Sequence, residues 1–353
     1  MKSSVLLTLI LAAGTLLAAC HKDSTPPSTT PPAPIPVKGP FLYVGGTNIT
    51  NALYWKISLS QSTPTPIVDT VPAGGAVTSM VSADSTIYYT AETGGYWQKD
   101  SFITVTGATT IQYITLSGGN VYTTGFDNSE NLAYWVNNTE TNLQNSIGRA
   151  TFPYEAFLAY GVSGIAVSGN NVLVAGTLTF ENEPYSPPAA IQGTFGLLWT
   201  NGALQTYGAG VLLSIEDRAT VGVATEGNDV YVAGQFPDTT FAGGYWKDSI
   251  WNTINNGHFA PSSITSINGD IYIPGYIYTR SSSTFQQQAA WWENGTLNTL
   301  EGVAAAAMVS DGTDLYILGT DNNSNLVVWK NGHLFATLGS TDNLEATCMA
   351  IAN

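Results

Sequence analysis

Positive charge is scarce in this chain. Ten Lys and Arg stand against 25 Asp and Glu, for a formal net charge of −15. A nucleic-acid-binding surface needs a basic footprint, so that class of partner is excluded, as is an electrostatic grip on anionic polymers. Histidine is nearly as rare: beyond His21, near the N-terminus, only His258 and His333 could serve a Ser-His-Asp triad or a His-based metal site. The two cysteines are Cys20, which ends the N-terminal apolar segment, and Cys348, which lies in an apolar run and reads as a small buried residue. Charged side chains make up 10% of the chain, so its surface must be built largely of Asn, Thr, Ser, Gln and Gly. Long hydrophobic runs are missing too. The run Val5–Leu17 has 13 residues, well short of the roughly 20 that span a bilayer as a helix.

That N-terminal run, preceded by Lys2, has the form of a bacterial export signal. Its last residues, Leu17-Ala18-Ala19-Cys20, resemble the lipobox of bacterial lipoproteins. The resemblance implies cleavage before Cys20 and acylation of its sulfur and new amino group, an anchor of several chains. Residues 21–40, HKDSTPPSTTPPAPIPVKGP, form a Ser/Thr/Pro-rich linker whose prolines favour extended, semi-rigid chain. His21 belongs to this tether and is not expected to ligate anything.

Residues 41–353 repeat. A Φ-Y-Φ-x-G run recurs as LYVGG (42–46), IYYTA (87–91), VYTTG (121–125), VLVAG (172–176), VYVAG (230–234), IYIPG (271–275) and LYILG (315–319). Each is followed by a run ending at a tryptophan: Trp55, Trp97, Trp135, Trp199, Trp246, Trp292 and Trp329. Their mean spacing is about 46 residues, the period of propeller blades. A short apolar run precedes most Tyr-strands (163–168, 221–225, 264–267, 306–310), joined to it by Gly-Asn-Asn, Gly-Asn-Asp, Asn-Gly-Asp or Asp-Gly-Thr. Those residues take positive φ cheaply and suit tight hairpins. After Trp come Asn-Gly or Asp-Ser turns and a fourth run, such as 297–300 or 334–338. The four runs are strands a, b, c and d of one antiparallel sheet. The first copy lacks strand a, and residues 345–353 read as a strand a without a following b. The expected fold is therefore all-β: a seven-bladed β-propeller of four-stranded antiparallel blades, closed by pairing of the N- and C-terminal strands. Recurrent Tyr and Trp at fixed positions read as packing between blades.

The a–b and c–d turns read as uniformly short, with the length variation in the b–c and d–a connections, which leave the opposite face. The b–c loops are read as 126–131, 177–196, 235–243 and 276–288, and the d–a loops as 144–162, 207–220 and 255–262. Candidate ligand-binding residues there are Asp127, Tyr154, Phe180, Glu181, Glu183, Tyr185, Asp217, Arg218, Phe236, Asp238, Tyr278 and Arg280. Aromatics among carboxylates and amides suit a neutral glycan or a peptide. Loop acids also leave room for a paired-carboxylate polysaccharide hydrolase or lyase. No catalytic constellation, metal site or cofactor motif stands out. DNSEN (127–131) and DNNSN (321–325) lack the alternating acids of a calcium loop and read better as Asx turns.

The Y-x-x-G … Y-W-K-(N/D)-G pattern over 41–353 resembles Bacteroidota-type β-propeller lipoproteins. It departs from kelch repeats, which carry Gly-Gly after strand b in every blade, and lacks the S-x-D-x-G-x-x-W boxes of sialidase propellers. The resemblance brings no catalytic residues with it. What it implies is a monomeric, lipid-anchored cell-envelope protein, at the outer membrane and facing the periplasm or the surface. Such a protein would bind a glycan or an envelope protein.

Overall fold

The computed structural model describes residues 39–72, 75–147, 156–182, 191–205, 219–235, 243–248, 250–254, 258–281 and 284–353. Among them the chain forms seven antiparallel sheets and one 3-10 turn, Gln144–Ser146. Blade 1 takes its innermost strand a from the C-terminus (Leu344–Ala352), then b (Phe41–Asn48), c (Ala52–Ser58) and d (Ile67–Thr70). Blades 2 to 7 follow in sequence order over 79–104, 108–142, 156–204, 219–253, 259–299 and 304–340. The fold is a seven-bladed β-propeller whose ends pair from Phe41 with Ala352 to Asn48 with Leu344.

The repeat motif has a physical cause at each position. All seven Trp are between 0% and 9% exposed, so they are core, not platforms. Each sits opposite the third residue of strand b, as in Val44–Trp55, Val232–Trp246 and Ile317–Trp329. In blades 4, 5 and 7 the indole lies across the motif glycine two residues on. A Cβ on Gly319 would lie 2.7 Å from the Trp329 ring and collide with the Ala304 carbonyl, and one on Gly234 would lie 2.6 Å from Trp246. In those blades glycine lets strand a and the indole approach strand b together, whereas blade 2 carries Ala91 at the same place.

The turn after Trp does two jobs. Asn137, Asn201, Asp248, Asn294 and Asn331 have φ between 43° and 55°, as the tight c–d hairpin demands. Their Oδ1 atoms also accept from the first N–H of strand b, that of Val121, Val172, Val230, Ile271 and Leu315, at 2.8–3.2 Å. The lysine beside Trp lies over the motif tyrosine opposite it: Lys56 Nζ is 5.7 Å from the Tyr43 ring, Lys247 Nζ 5.1 Å from Tyr231 and Lys330 Nζ 5.7 Å from Tyr316.

Buried side chains fall into seven clusters, one at each contact between neighbouring blades. In blades 1, 3, 4, 5 and 7 strand a carries a one-residue bulge near the axis, and hydroxyls at or beside that level link neighbouring blades. Thr347 donates to the Val77 carbonyl (2.6 Å), Thr78 to Gln112 (2.7 Å) and Ser263 to Ala306 (2.7 Å), while Ser163 and Thr220 hydroxyls lie 2.7 Å apart.

Three expectations are corrected. Most of 177–196 is not loop: strand b of blade 4 (Asn171–Asn182) pairs with c (Ile191–Thr200) up to Asn182–Ile191. Likewise 276–288 is mainly a hairpin of Asp270–Ser281 and Thr284–Glu293. The d–a connections are shortened too, because strand a of blade 4 starts at Ala156 and an extra strand, Phe259–Pro261, pairs with Tyr276 and its neighbours. The c–d turns are also not uniformly short, since blade 1 inserts residues 59–66 there.

Gly319→Ala is expected to destabilise the protein by about 2–4 kcal/mol, because neither the strand a carbonyl nor the buried indole can retreat. Gly118→Ala, at a turn with nothing within 4 Å of the new Cβ, should cost about 1 kcal/mol through its positive φ. Urea unfolding of both variants checks this; equal costs would contradict it.

Candidate functional site

The two hairpins define the face where variation concentrates. In blades 4 and 6, strand b continues six residues past its motif glycine, from Gly176 to Asn182 and from Gly275 to Ser281. At about 3.3 Å per residue each hairpin stands some 20 Å beyond the glycine level. In blade 7, strand b stops at Thr320, one residue after Gly319. Blades 4 and 6 are the two neighbours of blade 5, so the tall hairpins flank that blade.

Of the twelve candidate residues, seven (Tyr154, Glu183, Tyr185, Asp217, Arg218, Phe236 and Asp238) lie outside the described residues, as does Cys20. Phe180 and Glu181 are placed by their backbone on the blade 4 hairpin, opposite Gly193 and Gln192; Arg280 is on the blade 6 hairpin, opposite Phe285. Tyr278 is half-buried there, its hydroxyl donating to Tyr276 at 2.9 Å with the rings edge-on at 4.8 Å. Burial, and then that hydrogen bond, push the Tyr276 phenol above its ordinary value. Gln286, Gln287 and Gln288 on the facing strand are exposed amides. Phe259, grouped by sequence with the loop aromatics, is fully buried between blades 5 and 6.

Asp127 is drawn into its own turn. Its Oδ1 accepts from the N–H groups of Ser129 (2.7 Å) and Asn131 (2.9 Å), and its Oδ2 from the Asn131 amide (3.0 Å). Burial pushes the carboxyl up, but the bonds from Asn131, Ser129 and Asn142 outweigh it and hold Asp127 below the usual carboxylate range. Asp321 repeats the arrangement, accepting from Asn323 and Asn325 N–H at 2.8 Å each. Both are Asx turns in which Oδ1 is engaged by two backbone N–H groups and Oδ2 by the Asn131 or Asn325 amide. His258 is exposed at the base of the blade 6 hairpin, where its carbonyl accepts from Tyr278 N–H. His333 opens strand d of blade 7, directly after the short Asn331-Gly332 turn on the opposite face. Among the described residues, no three His, Cys, Asp or Glu are grouped to hold a metal, and no helix is long and apolar enough to cross a membrane. Sequence reasoning missed the bulge hydroxyls; a single Ser or Thr in strand a gives no periodic signal.

This geometry defines a closed β-propeller with one elaborated face. The sequence matches no protein-family model and no curated protein. Among solved structures, the chain is similar to the β-propeller domain of the Trilobed protease from Pyrococcus furiosus, at TM-score 0.51 and 10% identity over 88% of this chain and 92% of that one. That domain has an open velcro topology, whereas here the terminal strands pair. Apo AztD from Citrobacter koseri gives TM-score 0.42 at 11% identity (89% and 98% covered), and a PL25 ulvan lyase gives 0.32 at 9% (84% and 81%). The first of these likenesses supports the fold.

A carboxyl held below its unfolded pKa stabilises the fold above that value and loses the contribution as pH falls through the folded one. Asp127→Ala is therefore expected to cost about 1–3 kcal/mol at pH 7. The gap from wild type should narrow as pH drops below the ordinary value of 3.8. Urea titrations at stepped pH measure it, and a gap that stays constant to pH 2 would contradict the assignment.

Proposed function

We propose that this chain is a lipid-tethered propeller of a bacterial cell envelope, anchored through Cys20, that binds a glycan or protein ligand non-catalytically on its hairpin face. The observation that carries the reading is the polarity of the ring. The chain enters the propeller at the short-turn face: Phe41 pairs with Ser58, and the Pro40 carbonyl accepts from Leu59 N–H at 3.1 Å. The hairpins of blades 4 and 6 leave from the opposite face. The tether therefore joins the propeller at one face, and the variable elements leave from the other. The Ser/Thr/Pro segment adds reach, up to about 55 Å when extended.

A neutral polar ligand suits the described side chains of the blade 6 wall, Tyr276, Tyr278 and the exposed amides of Gln286, Gln287 and Gln288. A hydrolase needs a carboxyl kept protonated as general acid. The two acids best defined on this face, Asp127 and Asp321, are held in the opposite state.

The test is binding of the full chain to a glycan array and an envelope-protein panel, with product analysis for each hit. Binding without product is expected, weakened at least about tenfold when residues 183–190 are replaced by Asn-Gly, which can close the hairpin directly after Asn182. Released oligosaccharide, or the absence of any hit that this replacement weakens, would contradict the reading.

A further inference from the structure

The outer rim carries a feature the hairpin face does not explain. A groove of about 620 Å³ runs between blades 5 and 6, and a second of about 510 Å³ between blades 6 and 7. They are the same site one repeat apart. Buried Trp292 and Ile254, with half-buried Leu297, back the first; buried Trp329 and Leu300, with exposed Leu334, stand at the matching positions in the second. Each is closed at one end by the glycine of a c–d turn, Gly295 or Gly332.

The margins are polar and short of cations. Asn252 and Thr253 edge the first groove, and Thr299, Gln288, Asn322 and Asn323 edge the second. No Lys or Arg lines either. In the second, Asp321 is occupied by its own turn. Tyr245 adds a phenol to the first, its ring 4.8 Å from Trp292. Burial raises the Tyr245 pKa, so the hydroxyl stays protonated and can both donate and accept. Half-buried Tyr245, Trp251 and Leu297 in the first groove and exposed Leu334 in the second, set beside amides and hydroxyls, complement a molecule with apolar C–H faces and a ring of neutral hydroxyls. A pyranose has that surface. An anion would find no counter-charge in the first groove and would meet Asp321 and Glu301 in the second, where His333 is the one ionisable base in the lining; an apolar side chain would leave the amides of the margin without partners.

We propose that these two inter-blade grooves are subsites for a neutral polysaccharide laid across the rim, one contact per blade. The proposal is distinct from the hairpin face: of the groove residues only Gln288, opposite Ile277, belongs to a hairpin extension. Two subsites on one rigid ring give a polymer the advantage of effective concentration, so losing one groove weakens binding and losing both abolishes the gain.

The experiment is calorimetric titration of the full chain with cellohexaose, mannohexaose and xylohexaose. It compares wild type with Asn252→Arg, Leu334→Arg, the double variant and the chain with residues 183–190 replaced by Asn-Gly. Leu334 is 61% exposed and Asn252 is half-buried at the rim, so both arginines fill a groove without entering the core; unchanged thermal unfolding verifies this. At least one hexasaccharide is expected to bind wild type and the shortened-hairpin chain alike, about tenfold more weakly to each single variant and undetectably to the double variant. The proposal is overturned if no hexasaccharide binds, if the double variant binds within twofold of wild type, or if binding is lost only with the hairpin.

Discussion

The ladder between Leu344–Ala352 and Phe41–Asn48 is the interaction on which the rest of the ring depends. A blade is a thin sheet with two apolar faces, and it is stable only when a neighbour covers each. Six of the seven blades are contiguous in sequence, whereas blade 1 takes its innermost strand from the far end of the chain. That strand also completes the clusters on both sides of blade 1: Met349 and Ala346 pack toward blade 7, Cys348 and Ala350 toward blade 2. Burial pushes the Cys348 thiol up to about 12, so it serves there as a small packing residue and not as a nucleophile. Thr347, between Ala346 and Cys348, adds the hydroxyl that bonds to Val77 of the approach to blade 2.

The same economy explains why so few residue types recur. Close to the axis the blades converge, and small residues such as Ser163, Gly164, Gly222, Thr347 and Cys348 alternate with Met, Ile and Val on the innermost strands. Farther out the gaps widen, and Trp on strand c and Tyr on strand b fill them. The turn Asn or Asp and the cross-strand Lys–Tyr pair then fix the register at the short-turn end. This end is nearly invariant from blade to blade because every residue there has a partner in the next strand. The other end of each blade is free of such ties, which is where the hairpins of blades 4 and 6 could lengthen.

The blade count, the closure and the roles of Trp and Tyr were legible in the sequence because they repeat, and repetition separates signal from local noise. The Asx turns at Asp127 and Asp321 were legible for the same reason: DNSEN and DNNSN are the same turn in two blades. The tall hairpins were not. Thr177–Asn182 alternates as a strand should, but its partner begins Ile191-Gln192-Gly193, and 286–288 is a run of glutamine with no alternation. Those strands hold because each pairs with the other, a non-local fact. Phe259 was hidden by Pro261 and the serines after it, which break strand a of blade 6 into two pieces. The rim grooves were invisible for a different reason: they are made between blades, from residues about 40 positions apart.

Removing Leu344–Asn353 and following thermal unfolding tests the dependence on ring closure most directly. If the terminal ladder holds the ring, the shortened chain loses cooperative unfolding or melts at least about 15 °C lower, and a synthetic peptide of residues 344–353 added in trans restores part of the loss. A shortened chain that unfolds cooperatively within about 2 °C of the full chain would contradict the account. It would mean that six blades and an incomplete seventh hold one another without the strand that closes the ring.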